Sequence, residues 1–396
     1  MEQSSELRRF HSNASISSRK SIMKIASIFG ARPQFVKAAL VSREFGVHDG
    51  IEEVVINTGQ HYDALMSDVF LRDLDMRPPD YDLEVGSSSH AVQTARILER
   101  AEGILLSERP DCVLVYGDTN STLGGALAAA KLNIPVAHVE AGMRSYDRRA
   151  PEEMNRIVTD HLSELLLTPS EATKSQLLRE GIPTNRIAMV GDVMYDAVLH
   201  YLSNSERNST IAKQLRLVPQ GYVLCTIHRA VNTDDPMRLD NLMKAMKKVA
   251  EYLPVVFPVH PRSRKAFGSW GMAGECGGRL MLIEPVGYLD MIALERNAAV
   301  IATDSGGVQK EAFFLEVPCV TLRDETEWTE LISMGWNRLA PPDGKTDVAD
   351  AIISSIGKTG QFGVRPYGDG KAAMRICAAV QEMVTAKTGE RETQAV

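Results

Sequence analysis

A chain of 396 residues is too long for one small core and has room for two α/β domains of ordinary size. Its balance of 44% hydrophobic and 24% charged residues is that of a folded protein, neither fibrous nor disordered. A formal net charge of -7 gives no footprint for a phosphate polymer, and no apolar run approaches the roughly 20 residues of a membrane helix, so neither nucleic acid nor a membrane is an expected partner.

Residues 1–22 are Ser-rich, with Arg8, Arg9, Arg19 and Lys20 beside acidic Glu2 and Glu6, and hold no apolar core of signal-peptide length. They read as a disordered extension, or as sequence upstream of a start at Met23. From Met23 short β-branched runs alternate with longer amphipathic segments, the pattern of βαβ units around a parallel sheet. Strands are expected at Lys24–Phe29, Glu53–Asn57, Cys112–Tyr116, Pro135–Val139, Leu165–Leu167 and Ile187–Val190. Helical spacing marks Ser121–Lys131 and Glu152–Leu162, and Ser170 is placed to cap a helix running to Glu180. This makes one domain, residues 23–190.

The rhythm then restarts over residues 191–370, with strands near Tyr222–Thr226, Val255–Val259, Leu280–Ile283, Val300–Thr303 and Cys319–Leu322. The polar segment Ser203–Ser209 and the Gly-rich segment Gly268–Gly278 read as loops. A last helical segment, Lys371–Ala386, lies within the remaining residues 371–396. Five cysteines, Cys112, Cys225, Cys276, Cys319 and Cys377, are scattered without CxxC spacing, which suits a reducing cytoplasm and no structural metal.

Several strand ends carry chemistry. Gly30-Ala31-Arg32-Pro33-Gln34 follows the first strand, so a small-residue turn delivers Arg32, and one turn later Lys37, to the carboxyl edge where open α/β sheets bind ligands. Arg32 suits phosphate oxygens; an incidental surface Arg on a βα turn fits the same residues. Asp118 in Tyr116-Gly117-Asp118-Thr119 and Glu140 in Val139-Glu140-Ala141-Gly142 also sit at strand ends, and Glu152 in Pro151-Glu152-Glu153 opens a helix. Each acid alone reads equally as a helix cap or ion-pair partner, but three at one edge form a candidate acid/base set.

In the second half, His228 and His260 follow strands, where each is either a phosphate donor or proton carrier, or a residue satisfied by backbone. No HxxxH or His/Cys cluster accompanies them, so no metal is expected. Asp304-Ser305-Gly306-Gly307 opens a helix whose first amides and dipole favour an anion such as a diphosphate. Glu311, farther along that helix, suits a ribose diol, although a solvated helix face is the usual place for such a residue.

These residues, in this order, resemble the non-hydrolysing UDP-N-acetylglucosamine 2-epimerase family. The matching stretches are Gly30–Lys37, Thr58–His61, Tyr116–Thr122, His138–Ser145, Pro151–Arg156, Ile227–Arg229, Pro258–Arg262, Asp304–Ala312 and Arg323–Trp328, and they run from about Met23 to the final helix. The resemblance implies two Rossmann-like domains with a cleft between them, as in GT-B glycosyltransferases, and a C-terminal helix crossing back to the first domain. It also implies a homodimer without metal or nicotinamide. Ser305, Gly306, Gly307, Arg32 and His228 would hold the UDP phosphates and Glu311 the ribose. Lys37, Asp118, Glu140 and Glu152 would line the sugar pocket and handle protons, with His228 beside the departing phosphate.

The expected reaction interconverts UDP-N-acetylglucosamine and UDP-N-acetylmannosamine. C2 of an acetamido sugar is not adjacent to a carbonyl, so its hydrogen becomes labile only when the C1–O bond to UDP breaks, giving a glycal and UDP that later re-adds. Which of Asp118, Glu140 and Glu152 takes the proton stays open at this point. The Arg323-Asp324-Glu325-Thr326-Glu327-Trp328 stretch, with Ala31 and Gln34, resembles equally the subgroup acting on UDP-2,3-diacetamido-2,3-dideoxyglucuronate. A GT-B glycosyltransferase, a hydrolysing epimerase and a non-catalytic UDP-sugar sensor are the remaining alternatives. The family pattern after His-Arg usually continues Glu-Asn, whereas this chain reads Ala230-Val231-Asn232.

Overall fold

Aliphatic strands buried on both faces require a parallel sheet covered by helices on each side, and two such sheets form. The computed structural model describes residues 22–60, 74–269 and 278–394, without the side chains of Arg32 and of residues 388–394. Residues 1–21 of the expected extension, His61 and Cys276 lie outside the described residues.

The first sheet comprises β1 Met23–Phe29, β2 Ile51–Asn57, β3 Tyr81–Asp82, β4 Cys112–Tyr116, β5 Val136–Val139, β6 Leu165–Thr168 and β7 Ile187–Met189. Its helices are α1 Arg32–Phe45, α2 His90–Glu108, α3 Asn120–Lys131, α4 Pro151–Leu162 and α5 Glu171–Arg179. Helix α6, Val193–Asn208, and the short α7, Ile211–Gln214, lead to the second sheet. That sheet holds β8 Val223–Thr226, β9 Val255–Pro258, β10 Leu280–Ile283, β11 Val300–Thr303, β12 Cys319–Thr321 and β13 Asn337–Leu339. Around it lie α8 Ala230–Thr233, α9 Pro236–Ala250, α10 Pro261–Ser269, α11 Tyr288–Arg296, α12 Gly306–Phe314, α13 Thr329–Ser333 and α14 Val348–Ile353, and α15 Ala372–Gln394 closes the described chain.

The strand orders are β3-β2-β1-β4-β5-β6-β7 and β10-β9-β8-β11-β12-β13. Both reverse direction beside their first strand, between β1 and β4 in one sheet and between β8 and β11 in the other. Those are the switch points where a parallel sheet opens a crevice at its carboxyl edge. The pairs are parallel and in register, with Ile28 opposite Val115 and Thr303 opposite Thr226, so the loops after the paired strands emerge side by side. Beneath them Phe29, Tyr116 and Val139 pack with Phe35 and Val36 of α1, while Cys225, Ile227 and Ala302 anchor the second edge.

Helix α15 returns to the first sheet. It packs on α1 and α6, and Ile376, Cys377, Val380 and Val384 join the core that contains Phe29 and Phe45. Helix α6 faces both sheets, contributing Tyr201 to that core and Val198 to the one containing Leu224 and Ile301.

Two loop expectations are corrected. Ser203–Asn208 is the last part of α6, because Tyr201 and Ser205 continue its buried face and Ser205 Oγ donates to Leu289 O at 2.6 Å; the polar residues simply form the wet side. Gly268 and Ser269 end helix α10, and residues 270–277 lie outside the described residues. The strands β3 and β13 had no counterpart in the sequence reading; with two and three residues they are too short for a periodic signal.

The loop after β5 is clamped by helix α5. Gly142 has φ +82°, and a Cβ there would lie 2.5 Å from the carbonyl oxygen of Thr173, an atom of the helix backbone that cannot swing aside. Gly142→Ala is therefore expected to destabilise the protein by about 2–4 kcal/mol, from the left-handed conformation and the overpacking together. A thermal unfolding midpoint equal to that of the parent chain would show this reading of the loop to be wrong.

Candidate functional site

In the second sheet the crevice is organised by a buried carboxylate. Asp304, directly after β11, accepts from the backbone N–H of His228 at 3.0 Å, of Arg229 at 3.0 Å and from Asn232 Nδ2 at 3.0 Å, fixing the loop after β8. Ser305 caps α12, its Oγ accepting from Val308 N at 3.4 Å. The first amides of a helix have no partner within it, which leaves Gly306 and Gly307 as donors for an anion. Arg229 Nη2 and Trp328 Nε1 flank this spot, 3.6 Å and 3.7 Å from where a Gly306 Cβ would stand. The indole donates to Gly306 O at 3.0 Å.

His228 has 37% of its side chain exposed, with its ring 5.3 Å from that of His260. Burial pushes its pKa below the ordinary histidine value; Asp304 opposes this and the Arg229 and Arg262 guanidinium groups reinforce it. His228 is thus arranged to be neutral near pH 7, offering one ring N–H.

In the first sheet Gln34 ties the loop after β1 to the loop after β4. Its Oε1 accepts from the amides of Gly30 and Ala31, and its Nε2 donates to Tyr116 O at 2.6 Å and to Thr119 Oγ1 at 2.9 Å. Gln34 therefore shapes the loop and does not line the crevice. The side chain of Arg32 lies outside the described residues.

Asp118 Oδ2 pairs with Arg156 Nη2 at 2.5 Å, and its carbonyl accepts from Asn155 Nδ2 at 2.9 Å. Glu152 is exposed and lies three and four residues before Asn155 and Arg156, on the face of α4 that holds Asp118. Glu153, by contrast, is buried and accepts from Ser145 N, Tyr146 N and Arg156 Nη1, a structural knot. Glu140, at φ +71°, turns its carboxylate onto Lys37 Nζ.

A residue absent from the sequence-based set joins the two halves. Lys310 of α12, 2% exposed, donates to Glu140 Oε1 at 2.8 Å and to Asp192 Oδ2 at 2.5 Å, with Nζ 4.3 Å above the Trp328 ring. Burial alone would push the Glu140 carboxyl up, but the ammonium groups of Lys310 and Lys37 outweigh it and hold it well below the usual carboxylate range. Burial likewise disfavours the charged form of Lys310, and Asp192 and Glu140 override it, raising its pKa. Helical spacing was the available signal: Lys310 is four residues after Gly306 and so shares its face. Arg229, adjacent to His228, was also missed.

Glu311 is buried, not on a solvated helix face. Burial pushes its carboxyl up to about 7, against the pull of Lys310. Glu295, fully buried on α11, is pushed well above its ordinary value by burial and then by the Glu311 carboxyl that faces it. Also among the described residues, no group of three His, Cys, Asp or Glu side chains is placed to hold a metal ion, and no helix is long and apolar enough to cross a membrane.

The chain matches known proteins over most of its length. Residues 43–381 fit the family model described as UDP-N-acetylglucosamine 2-epimerase. A UDP-N-acetylglucosamine 2-epimerase homolog of Methanococcus maripaludis is 48% identical over 364 residues, covering 91% of this chain and 100% of the relative. The UDP-2,3-diacetamido-2,3-dideoxy-D-glucuronate 2-epimerase of Pseudomonas aeruginosa is 44% identical over 357 residues, covering 89% and 98%. Among solved structures, the UDP-GlcNAc 2-epimerase of Methanocaldococcus jannaschii in complex with UDP-GlcNAc and UDP superposes with a TM-score of 0.85 at 40% identity, covering 91% of this chain and 100% of that one.

The buried acid on α11 yields a pH test. A carboxyl whose folded pKa exceeds its unfolded value binds its proton more tightly when folded, so its contribution is full below the unfolded pKa and is lost as pH rises through the folded one. Glu295→Gln replaces that proton dependence with a neutral amide. Its unfolding temperature is expected to improve relative to the parent as pH is raised from about 5.5 to about 8. A parent chain that gains on the variant over the same range would contradict the buried-acid assignment.

Proposed function

The chain belongs to the UDP-N-acetylglucosamine 2-epimerase family, and on that footing we propose that it inverts C2 of a UDP-linked 2-acetamido sugar, UDP-N-acetylglucosamine to UDP-N-acetylmannosamine and back, without hydrolysis. The observation that carries this reading is the course of α12. The helix begins at the candidate diphosphate amides and, four residues or about 6 Å later along its axis, places Lys310 on Glu140. Anion-binding amides of one sheet and an acid of the other are thereby within the span of a single nucleotide sugar.

In this reading Ser305, Gly306, Gly307, His228 and Arg32 take the diphosphate and Glu311 the ribose. The C1–O bond breaks heterolytically, its electrons leaving with UDP, whose charge the amides and cations stabilise. The C2 proton passes to a carboxylate among Asp118, Glu140 and Glu152, forming the C1–C2 double bond of a glycal. A proton returns to C2 on the opposite face, and UDP oxygen re-adds at C1. Lys37 lines the sugar pocket beside these acids and shares in proton handling, and closure of the crevice during turnover keeps water from the glycal. The two units, residues 23–190 and 191–370, work across the crevice, and within residues 371–396 helix α15 reaches back to the first. The assembly is read as a cytoplasmic homodimer.

The diacetamido-glucuronate is a second reading with a specific basis. The Pseudomonas aeruginosa relative named for it is 44% identical, between the 48% of the UDP-N-acetylglucosamine 2-epimerase homolog of Methanococcus maripaludis and the 41% of the UDP-N-acetylglucosamine 2-epimerase of Methanocaldococcus jannaschii. The Trp328 end of the Arg323–Trp328 stretch also lies against Gly306 and Lys310, inside the proposed pocket.

Incubation with UDP-N-acetylglucosamine in D2O, without acceptor, distinguishes these readings by proton NMR. Epimerisation gives a second anomeric signal with deuterium at C2; hydrolysis gives free sugar. A transferase or a sensor gives no change, whereas turnover only of the diacetamido-glucuronate selects the second reading. Inertness toward both sugars would sink the epimerase assignment. Glu140→Gln is expected to slow deuterium incorporation by about 100-fold or more while UDP binding persists, because the amide keeps the shape but can neither take up nor return a proton. Parent-level exchange in that variant would exclude Glu140 as an essential proton carrier.

A further inference from the structure

We infer that Lys310 is a positioning residue for Glu140, a second ammonium delivered by the helix of the opposite sheet that makes the ionisation of Glu140 depend on how the two sheets are set against each other. The inference rests on the proposed epimerase reading for its consequence in turnover, but its geometry is independent of it.

The donors of Lys310 are fully committed. Two N–H groups go to Glu140 Oε1 and Asp192 Oδ2, and the remaining side of the ammonium is covered by the Trp328 ring. Asp192 is itself immobilised: Oδ1 caps α6 by accepting from Met194 N at 2.8 Å, and its backbone N–H donates to Tyr367 O at 2.9 Å. Lys310 is therefore anchored to the link between the sheets, and Glu140 is the partner contributed by the far side.

The groups facing Glu140 come from each element packed on it. They are Lys37 of α1, Lys310 of α12 and, behind Lys310, Asp192 of the link after β7. The loop after β4 approaches through Gly117, where a Cβ would lie 3.5 Å from Glu140 Oε2 and 3.7 Å from Lys37 Nζ. The next residue, Asp118, is paired with Arg156, and His138 on β5 is engaged by Asp160 and Gly117 O. Lys37 and Lys310 thus supply the direct cationic contacts to Glu140, and one of the two belongs to the other sheet. With both in place Glu140 is a weak base. In a reaction where Glu140 is the carboxylate that takes the C2 proton, so weak a base acts only once cationic character has developed at C1, with C1–O cleavage ahead of proton loss.

Lys310→Met alone would leave Asp192 buried without its counter-ion, so the test uses the double variant Lys310→Met/Asp192→Asn, in which no uncompensated charge is created at that pair. Asp192→Asn alone is the control that keeps Lys310 on Glu140. The 13C shift of the Glu140 side-chain carboxyl, assigned by its loss in Glu140→Gln, is followed as pH is lowered. In the parent and in Asp192→Asn it is expected to stay ionised to the onset of acid unfolding. In the double variant it should titrate at least about one pH unit higher, a tenfold change in its ionisation equilibrium, and the acid limb of kcat should rise with it while KM changes little. A Glu140 resonance in the folded double variant that titrates no higher than in the parent would overturn the inference. Because the carboxyl signal needs no turnover, that result is distinct from a failure of the parent chain to epimerise either sugar.

Discussion

Four charges, the buried Lys37, Lys310 and Asp192 and the largely covered Glu140, neutralise one another at the seam between the two sheets. Removing any ion from water costs several kcal/mol, and a buried pair is tolerated only when its geometry and remaining hydrogen bonds compensate. Here compensation requires residues from α1, from the end of β5, from the β7–α6 link and from α12 at once. The seam is consequently not a passive gap: the architecture must bring two independently wound sheets to one register for these charges to be satisfied.

The two sheets meet that requirement by the same topology. Each winds outward from its first strand and then reverses, and the reversal opens a crevice beside β1 and β4 or β8 and β11. Each crevice has one internal brace. Gln34 braces the first by linking two loops through its amide; Asp304 braces the second through two backbone amides and Asn232. These braces free the neighbouring groups, Lys37, Glu140 and Asp118 on one side and His228, Arg229 and the glycine amides on the other, from having to hold the backbone.

What the sequence made legible follows from this division. Strand-end motifs such as Gly30–Gln34 and Asp304–Gly307 were readable because their geometry is set by neighbours in the chain: a strand, a tight turn and a helix start. Lys310 was not, since its partners Glu140 and Asp192 stand 170 and 118 residues away and only the packing of the sheets brings them together. Glu311 was read as a ribose ligand or else a solvated helix-face acid, since its burial depends on α11, and Ser203–Ser209 as a loop because its composition is polar although the spacing as far as Asn208 is helical. Glu152 and Glu153 are adjacent in sequence, yet one is exposed and the other knots the Ser145 loop; helix phase, not residue type, separates them.

The departure at Val231 can now be placed. A carboxylate there would be needed for the fold only if the loop after β8 lacked another organiser, but Asp304 already takes the amides of His228 and Arg229, and Asn232 reaches both Asp304 and Leu322 O. The Val231 residue itself is 51% exposed. The loop is thus complete without an acid at this position, and the loss of negative charge there cannot be explained as a change in scaffold. Val231 stands two residues along the chain from Arg229, whose guanidinium flanks the start of α12. With the loop held by Asp304 and Asn232, the departure at Val231 changes the charge of an exposed helix turn and not whether the crevice forms.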